Sequence, residues 1–88
     1  MLTINDLREG ALYELPNGDR VRTARMAGGM MWFLTAFEVK RSYALDPAGA
    51  VRLILYVDAA GVRRRVFGND GYGNVTDFIV GDLRSVES

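Results

Sequence analysis

The chain has 88 residues, 49% of them hydrophobic, which is enough apolar material for one compact domain over residues 1–88 and too little for two separate cores. Eleven basic and eleven acidic side chains cancel to a formal net charge of zero, which excludes steering of partners by a strong overall field. With neither His nor Cys, the sequence also excludes disulfides, thiolate chemistry, imidazole bases and the usual nitrogen and sulfur ligands of zinc.

In chain order, Thr3 to Gly10 reads as one short helical turn, with Thr3 as N-cap, Asp6 three residues on and Gly10 behind. Strands are expected over Ala11–Leu15 and Arg20–Met26, joined by Pro16-Asn17-Gly18-Asp19, because Asn and Gly both tolerate positive φ in a hairpin turn. Gly28-Gly29 marks a second turn. Met31–Lys40, rich in aromatic and β-branched residues, reads as a long central strand. Arg41–Ala50 reads as a loop around the turn Asp46-Pro47-Ala48-Gly49. Val51–Asp58 and Val62–Phe67 form a hairpin through Asp58-Ala59-Ala60-Gly61, a type I turn closed by a left-handed glycine. A flexible connection over Gly68–Asn74, a last strand over Val75–Val80 and a closing turn over Gly81–Arg84 complete the chain.

Gly, Pro and β-branched residues interrupt every window before a helix of ordinary length accumulates. The expected class is therefore all-β: a small single domain of five or six strands, as a curled sheet or an SH3-like barrel, with at most short helical turns at its ends. Asn5-Asp6-Leu7-Arg8 and Gly81-Asp82-Leu83-Arg84 echo each other, which chance or shared turn chemistry explains better than duplication. Charges stand among the first ten residues, where an export signal would need its apolar run. The longest uncharged stretch, Met26–Phe37, is too short to cross a bilayer. A cytoplasmic protein without a membrane span is the expectation.

Catalysis would fall to carboxylates, Tyr, Ser, Thr, Lys40 or Arg, and no spacing selects among them. No catalytic residue, cofactor or metal is assigned. Gly68–Asn74 has the glycines of a phosphate cradle, but a strand follows it in place of the helix such a cradle needs; it reads as a hairpin loop. Charge is uneven along the chain, with nine basic residues against three acidic ones from Arg20 to Arg65. Strand alternation puts Arg20 and Arg22 on one face of their strand and Arg63 and Arg65 on one face of theirs. Together they would make a basic strip that binds nucleic acid, with Tyr56, Trp32 or Phe67 as stacking platforms. The competing reading is a solvated face, its arginines neutralised by the acidic chain ends.

The apolar surplus is the more informative feature. Met31–Lys40 carries Met31, Phe33, Thr35, Phe37 and Val39 at odd positions, yet Trp32, Leu34 and Ala36 fill the even ones; Val51, Leu53, Leu55 and Val57 likewise alternate with Arg52, Ile54, Tyr56 and Asp58. If the odd sets fill the interior, Trp32, Leu34, Ile54 and Tyr56 make a second apolar surface that needs a cover. The cover is either the chain's own Tyr43, Leu45, Leu7 or Leu83, or another chain, most simply an identical subunit in a homodimer or larger assembly. The function expected first is a non-enzymatic interaction module acting by self-association or protein docking on an apolar sheet face. The alternative is a nucleic-acid-binding barrel using Arg20, Arg22, Arg63 and Arg65. An enzyme site built across an oligomer axis from Tyr, carboxylate and Arg groups stands third.

Overall fold

The computed structural model describes residues 1–25, 31–36 and 41–86. The described residues form one antiparallel sheet of eight strands: β1 (Leu12–Glu14), β2 (Arg20–Arg25), β3 (Trp32–Ala36), β4 (Arg41–Leu45), β5 (Ala50–Val57), β6 (Arg63–Arg65), β7 (Asn74–Ile79) and β8 (Arg84–Ser85). Strands adjoin in the order β6-β5-β4-β3-β2-β1-β8, and β7 pairs with the first half of β5 along the edge whose second half takes β6. A 3-10 turn precedes the sheet at Ile4–Asp6 and another joins β7 to β8 at Val80–Asp82.

Three hairpins share one construction. In Leu15–Gly18, Asp46–Gly49 and Asp58–Gly61 the fourth residue is a glycine whose N–H donates to the first residue's carbonyl, at 2.9 Å each time. Only the glycine takes positive φ, so Asn17-Gly18 makes a hairpin by a different turn from the doubly left-handed one its dipeptide suggests. Asp46 and Asp58 add side-chain support, each accepting from the backbone N–H groups two and four residues on. Outside the described residues lie the expected Gly28-Gly29 turn, Met26 of the second expected strand, and Phe37 to Lys40 of the expected central strand.

Two expectations are corrected. Arg41–Leu45 is a strand and not a loop: it pairs antiparallel with β3 from Trp32↔Leu45 to Thr35↔Ser42. Its Tyr43, Ala44 and Leu45 are all buried, and burial between two neighbours outweighs the polar start of the segment. The closing turn likewise runs into a short strand, β8, which pairs with β1.

The core occupies the concave face. Rows of paired residues cross it: Thr23, Leu34, Tyr43 and Leu53, then Arg25, Trp32, Leu45 and Val51. Leu7 and Leu83 close its ends. These two leucines belong to the echoing tetrapeptides, which fold alike. Asp6 Oδ2 accepts from Thr3 N–H at 2.8 Å, Asp82 Oδ2 accepts from Ile79 N–H at 2.9 Å, and both leucines sit at φ −71 and ψ 139. Leu7, rather than Gly10, ends the first turn. The buried Thr23 hydroxyl donates to Arg8 O, so its burial leaves no unmet donor.

Gly61 has φ +80 in open space, whereas Gly73 has φ +92 and an added Cβ there would collide with Leu53 O and Ile54 Cγ2. Gly61→Ala should therefore cost about 1 kcal/mol from backbone strain alone, and Gly73→Ala distinctly more. Urea denaturation of the two variants checks the order; equal midpoints would contradict this packing of the Gly68–Asn74 loop on β5.

Candidate docking surface

The register decides which side chains remain for function. Ser42 pairs with Leu55 and Tyr43 with Leu53, leaving Ile54 as an extra residue in β5. Such a bulge breaks the two-residue alternation, so Leu53 packs on the core while Leu55, two residues later, lies on the convex face. Sequence parity alone put them on one side.

Of the four residues expected as an interface, two are in the core. Trp32 is 6% exposed and Leu34 fully buried, as are Leu45 and Tyr43, their neighbours across β4. Tyr43, Leu45, Leu7 and Leu83 cover them, which is the internal cover and not a second chain. Trp32 has Arg25 over its ring at 4.6 Å. Tyr56 is half-buried opposite Arg41 and Arg64. Ile54 alone of the four joins an outward apolar surface.

That surface is an open cleft of about 340 Å³ on the convex face of β3 to β6. Met31, Phe33, Ile54 and Leu55 form its floor, and Val66 and Phe67 rise beside it. Phe67 is 65% exposed. Thr35, Ser42 and Arg65 supply its polar groups, and among the described residues no carboxylate lines it. Apart from Ile54, Phe67 and Arg65, none of these stood out in the sequence. The usable signal was the odd-position set Met31, Phe33 and Thr35, which faces out.

The neighbouring glycine-rich loop is held down by Arg52. Its guanidinium is 11% exposed and meets Asp46 at 3.2 Å, Asp70 at 2.9 Å and Gly73 O at 2.6 Å. The Tyr72 N–H and then the Arg52 guanidinium hold the Asp70 carboxyl below the usual carboxylate range. The loop is thus fastened to the sheet rather than shaped to cradle a phosphate.

The candidate arginines do not make a continuous strip. Arg22 and Arg65 share one row across the sheet, but Thr35, Ser42 and Leu55 lie between them, roughly four strand spacings or 19 Å. Arg20 stands opposite Glu14, and Arg22 Nη1 donates to Gly10 O at 2.6 Å. On the far edge Arg64 pairs with Asp58 at 2.9 Å. Among the described residues, Arg63 and Arg65 have no carboxylate within ion-pair distance, and both are exposed.

A part-buried polar cluster sits elsewhere. The Tyr43 hydroxyl donates to Asp19 Oδ2 at 2.6 Å and accepts from Asn17 Nδ2 at 3.3 Å, while Arg41 meets the same carboxylate at 2.9 Å. Burial first, and then the Asp19 hydrogen bond, push the phenol up to about 12. That direction keeps it a proton-bearing donor that ties the β1–β2 turn to β4, not a base. Among the described residues no three His, Cys, Asp or Glu side chains group as a metal site, and no helix is long and apolar enough to cross a membrane. Comparison with protein-family models, with curated proteins and with solved structures finds no match.

A phenol raised in the folded state contributes stability that is intact below its unfolded value near 10 and declines as pH rises towards 12. Urea midpoints measured from pH 9 to 12 should fall for the wild type and fall less for Tyr43→Phe. Parallel profiles for the two proteins would show that Tyr43 is not the group responsible.

Proposed function

We propose that this domain is a non-enzymatic docking module whose binding surface is the convex-face cleft, and that its occupant is a segment of another protein carrying apolar side chains. The supporting observation is the outward apolar floor of Met31, Phe33, Ile54 and Leu55 with an exposed Phe67 beside it, on a sheet whose opposite face is already filled by its own core. Aromatic anchors at the rim of an apolar cleft are frequent carriers of binding energy. A second copy suits this surface poorly, because a two-fold contact would bring the same arginine-edged patch against itself.

Nucleic acid is the second reading, favoured by Arg65 next to the exposed Phe67, an arrangement in which a base stacks while a phosphate is neutralised. The separation of Arg20 and Arg22 from Arg63 and Arg65 weighs against it.

The test uses a capped, uncharged Thr-Phe-Thr-Leu-Thr-Phe-Thr peptide titrated into labelled protein. Saturable shifts at Met31, Leu55 and Val66 are expected, and Phe67→Ser should weaken binding by roughly tenfold, equivalent to about 1.4 kcal/mol. Absence of saturation overturns cleft docking. Light scattering should give a monomer; a dimer at micromolar concentration would replace docking by self-association, and an oligothymidylate bound at about 50 mM salt and released at higher salt would favour the nucleic-acid reading. Trp32→Glu should unfold the chain, since a charge would enter the core; a folded, soluble variant would return Trp32 to the surface.

A further inference from the structure

The sheet ends on one side at β6, and among the described residues no strand pairs with its other edge. The backbone there is oriented by its bonds to β5. Val62 O accepts from Asp58 N–H at 2.9 Å, and Val66 N–H donates to Ile54 O at 2.8 Å. Tyr56 and Arg64 form the pair midway between these bonds. In an antiparallel ladder alternate residues turn their N–H and C=O to the same neighbour. Residues 62, 64 and 66 therefore face β5, and the N–H and C=O groups of Arg63 and Arg65 point to the open side.

The side chains add a second constraint. Arg65 lines the cleft, and alternation puts Arg63 on the same face, while Arg64 lies opposite, held by Asp58. Phe67 follows at the end of the segment, 65% exposed. Three arginines on a three-residue edge oppose pairing with a second β6, because like charges would stand directly across from one another. By the same sign they favour an acidic strand.

We propose that the open edge of β6 takes up an extended acidic segment of another protein as an added strand, with carboxylates at alternate positions opposite Arg63 and Arg65 and an apolar side chain two residues further on against Phe67. Main-chain hydrogen bonds to Arg63 and Arg65 supply the register, and the two ion pairs supply the selectivity. This rests on the docking reading above and specifies its partner: the apolar side chain enters at the Phe67 end of the cleft while the carboxylates remain at the edge.

The probes are two capped peptides, Thr-Glu-Thr-Glu-Thr-Phe-Thr and the same sequence reversed, since the added strand can run either way. One of them should slow amide hydrogen exchange at Arg63 and Arg65 and leave Arg64, already bonded to β5, unchanged. N-methylation of the glutamate amides in the antiparallel peptide, or of the threonine amide after each glutamate in the parallel one, should abolish binding, a lysine-for-glutamate peptide should not bind, and the double variant Arg63→Glu, Arg65→Glu should lose roughly tenfold in affinity for the acidic peptide. Both substituted side chains are exposed, so the variant keeps its core, which its circular dichroism will verify. No slowing at Arg63 and Arg65 with either peptide, or equal binding by the lysine peptide, overturns the proposal. If the acidic peptides shift only Met31 and Phe33, edge addition fails while cleft docking stands; if those residues respond neither to these peptides nor to the uncharged one, both fail.

Discussion

Between Leu53 and Leu55 the β5 backbone carries one residue more than the strand across from it, and most of the architecture depends on that insertion. Before Ile54, β5 pairs with β7 and sends Val51 and Leu53 into the core; after it, β5 pairs with β6 and sends Leu55 to the convex face. A bulge also sharpens local twist, which suits a sheet that must wrap around its own interior. One strand thereby holds two neighbours along a single edge, and the same step brings Ile54 and Leu55 together on the cleft floor.

Arg52 works on the other side of that insertion. It is the most buried charge in the ion pairs described, and its head group is met by two carboxylates and a carbonyl. Removing a charge like this from water costs several kcal/mol unless its partners are well placed, so the arrangement holds only if the Asp46 turn and the Gly68–Asn74 loop both stay on the sheet. The small size of Gly73 is what lets the loop backbone approach β5 so closely. The wall of the cleft at Phe67 and Gly71 is thus positioned by an ion-pair cluster rather than by apolar packing of the loop itself.

The ends of the core are finished by economical means. A chain of 88 residues has a high ratio of surface to volume, and a curled sheet leaves its openings uncovered. Two short 3-10 turns, each locked by an aspartate as its last residue, bring Leu7 and Leu83 into the core. The charged residues that follow, Arg8 and Arg84, remain outside. The core side is therefore filled by residues of its own chain, and the outward apolar residues of β3 and β5 gather in the cleft on the opposite side.

Composition and local turn chemistry were sufficient to read the all-β class, the hairpin at Asp58–Gly61 and the turn at Asp46–Gly49, because each depends on residues within four or five positions of one another. They were sufficient also to show that β3 and β5 carry apolar side chains on both faces. Which face becomes the core was decided only by tertiary structure. Trp32 and Leu34 turn inward because Tyr43 and Leu45 arrive from β4, a strand whose mixed composition hid it. Leu55 turns outward because of a register shift that depends on where β4 pairs with β5. The arginines separate for the same reason: Arg22 and Arg65 are distant in sequence, and the number of strands between them is a property of the sheet order. Period and turn type are local quantities that a sequence carries in full, whereas register and strand order arise from pairings between segments far apart in the chain, and no local pattern encodes them.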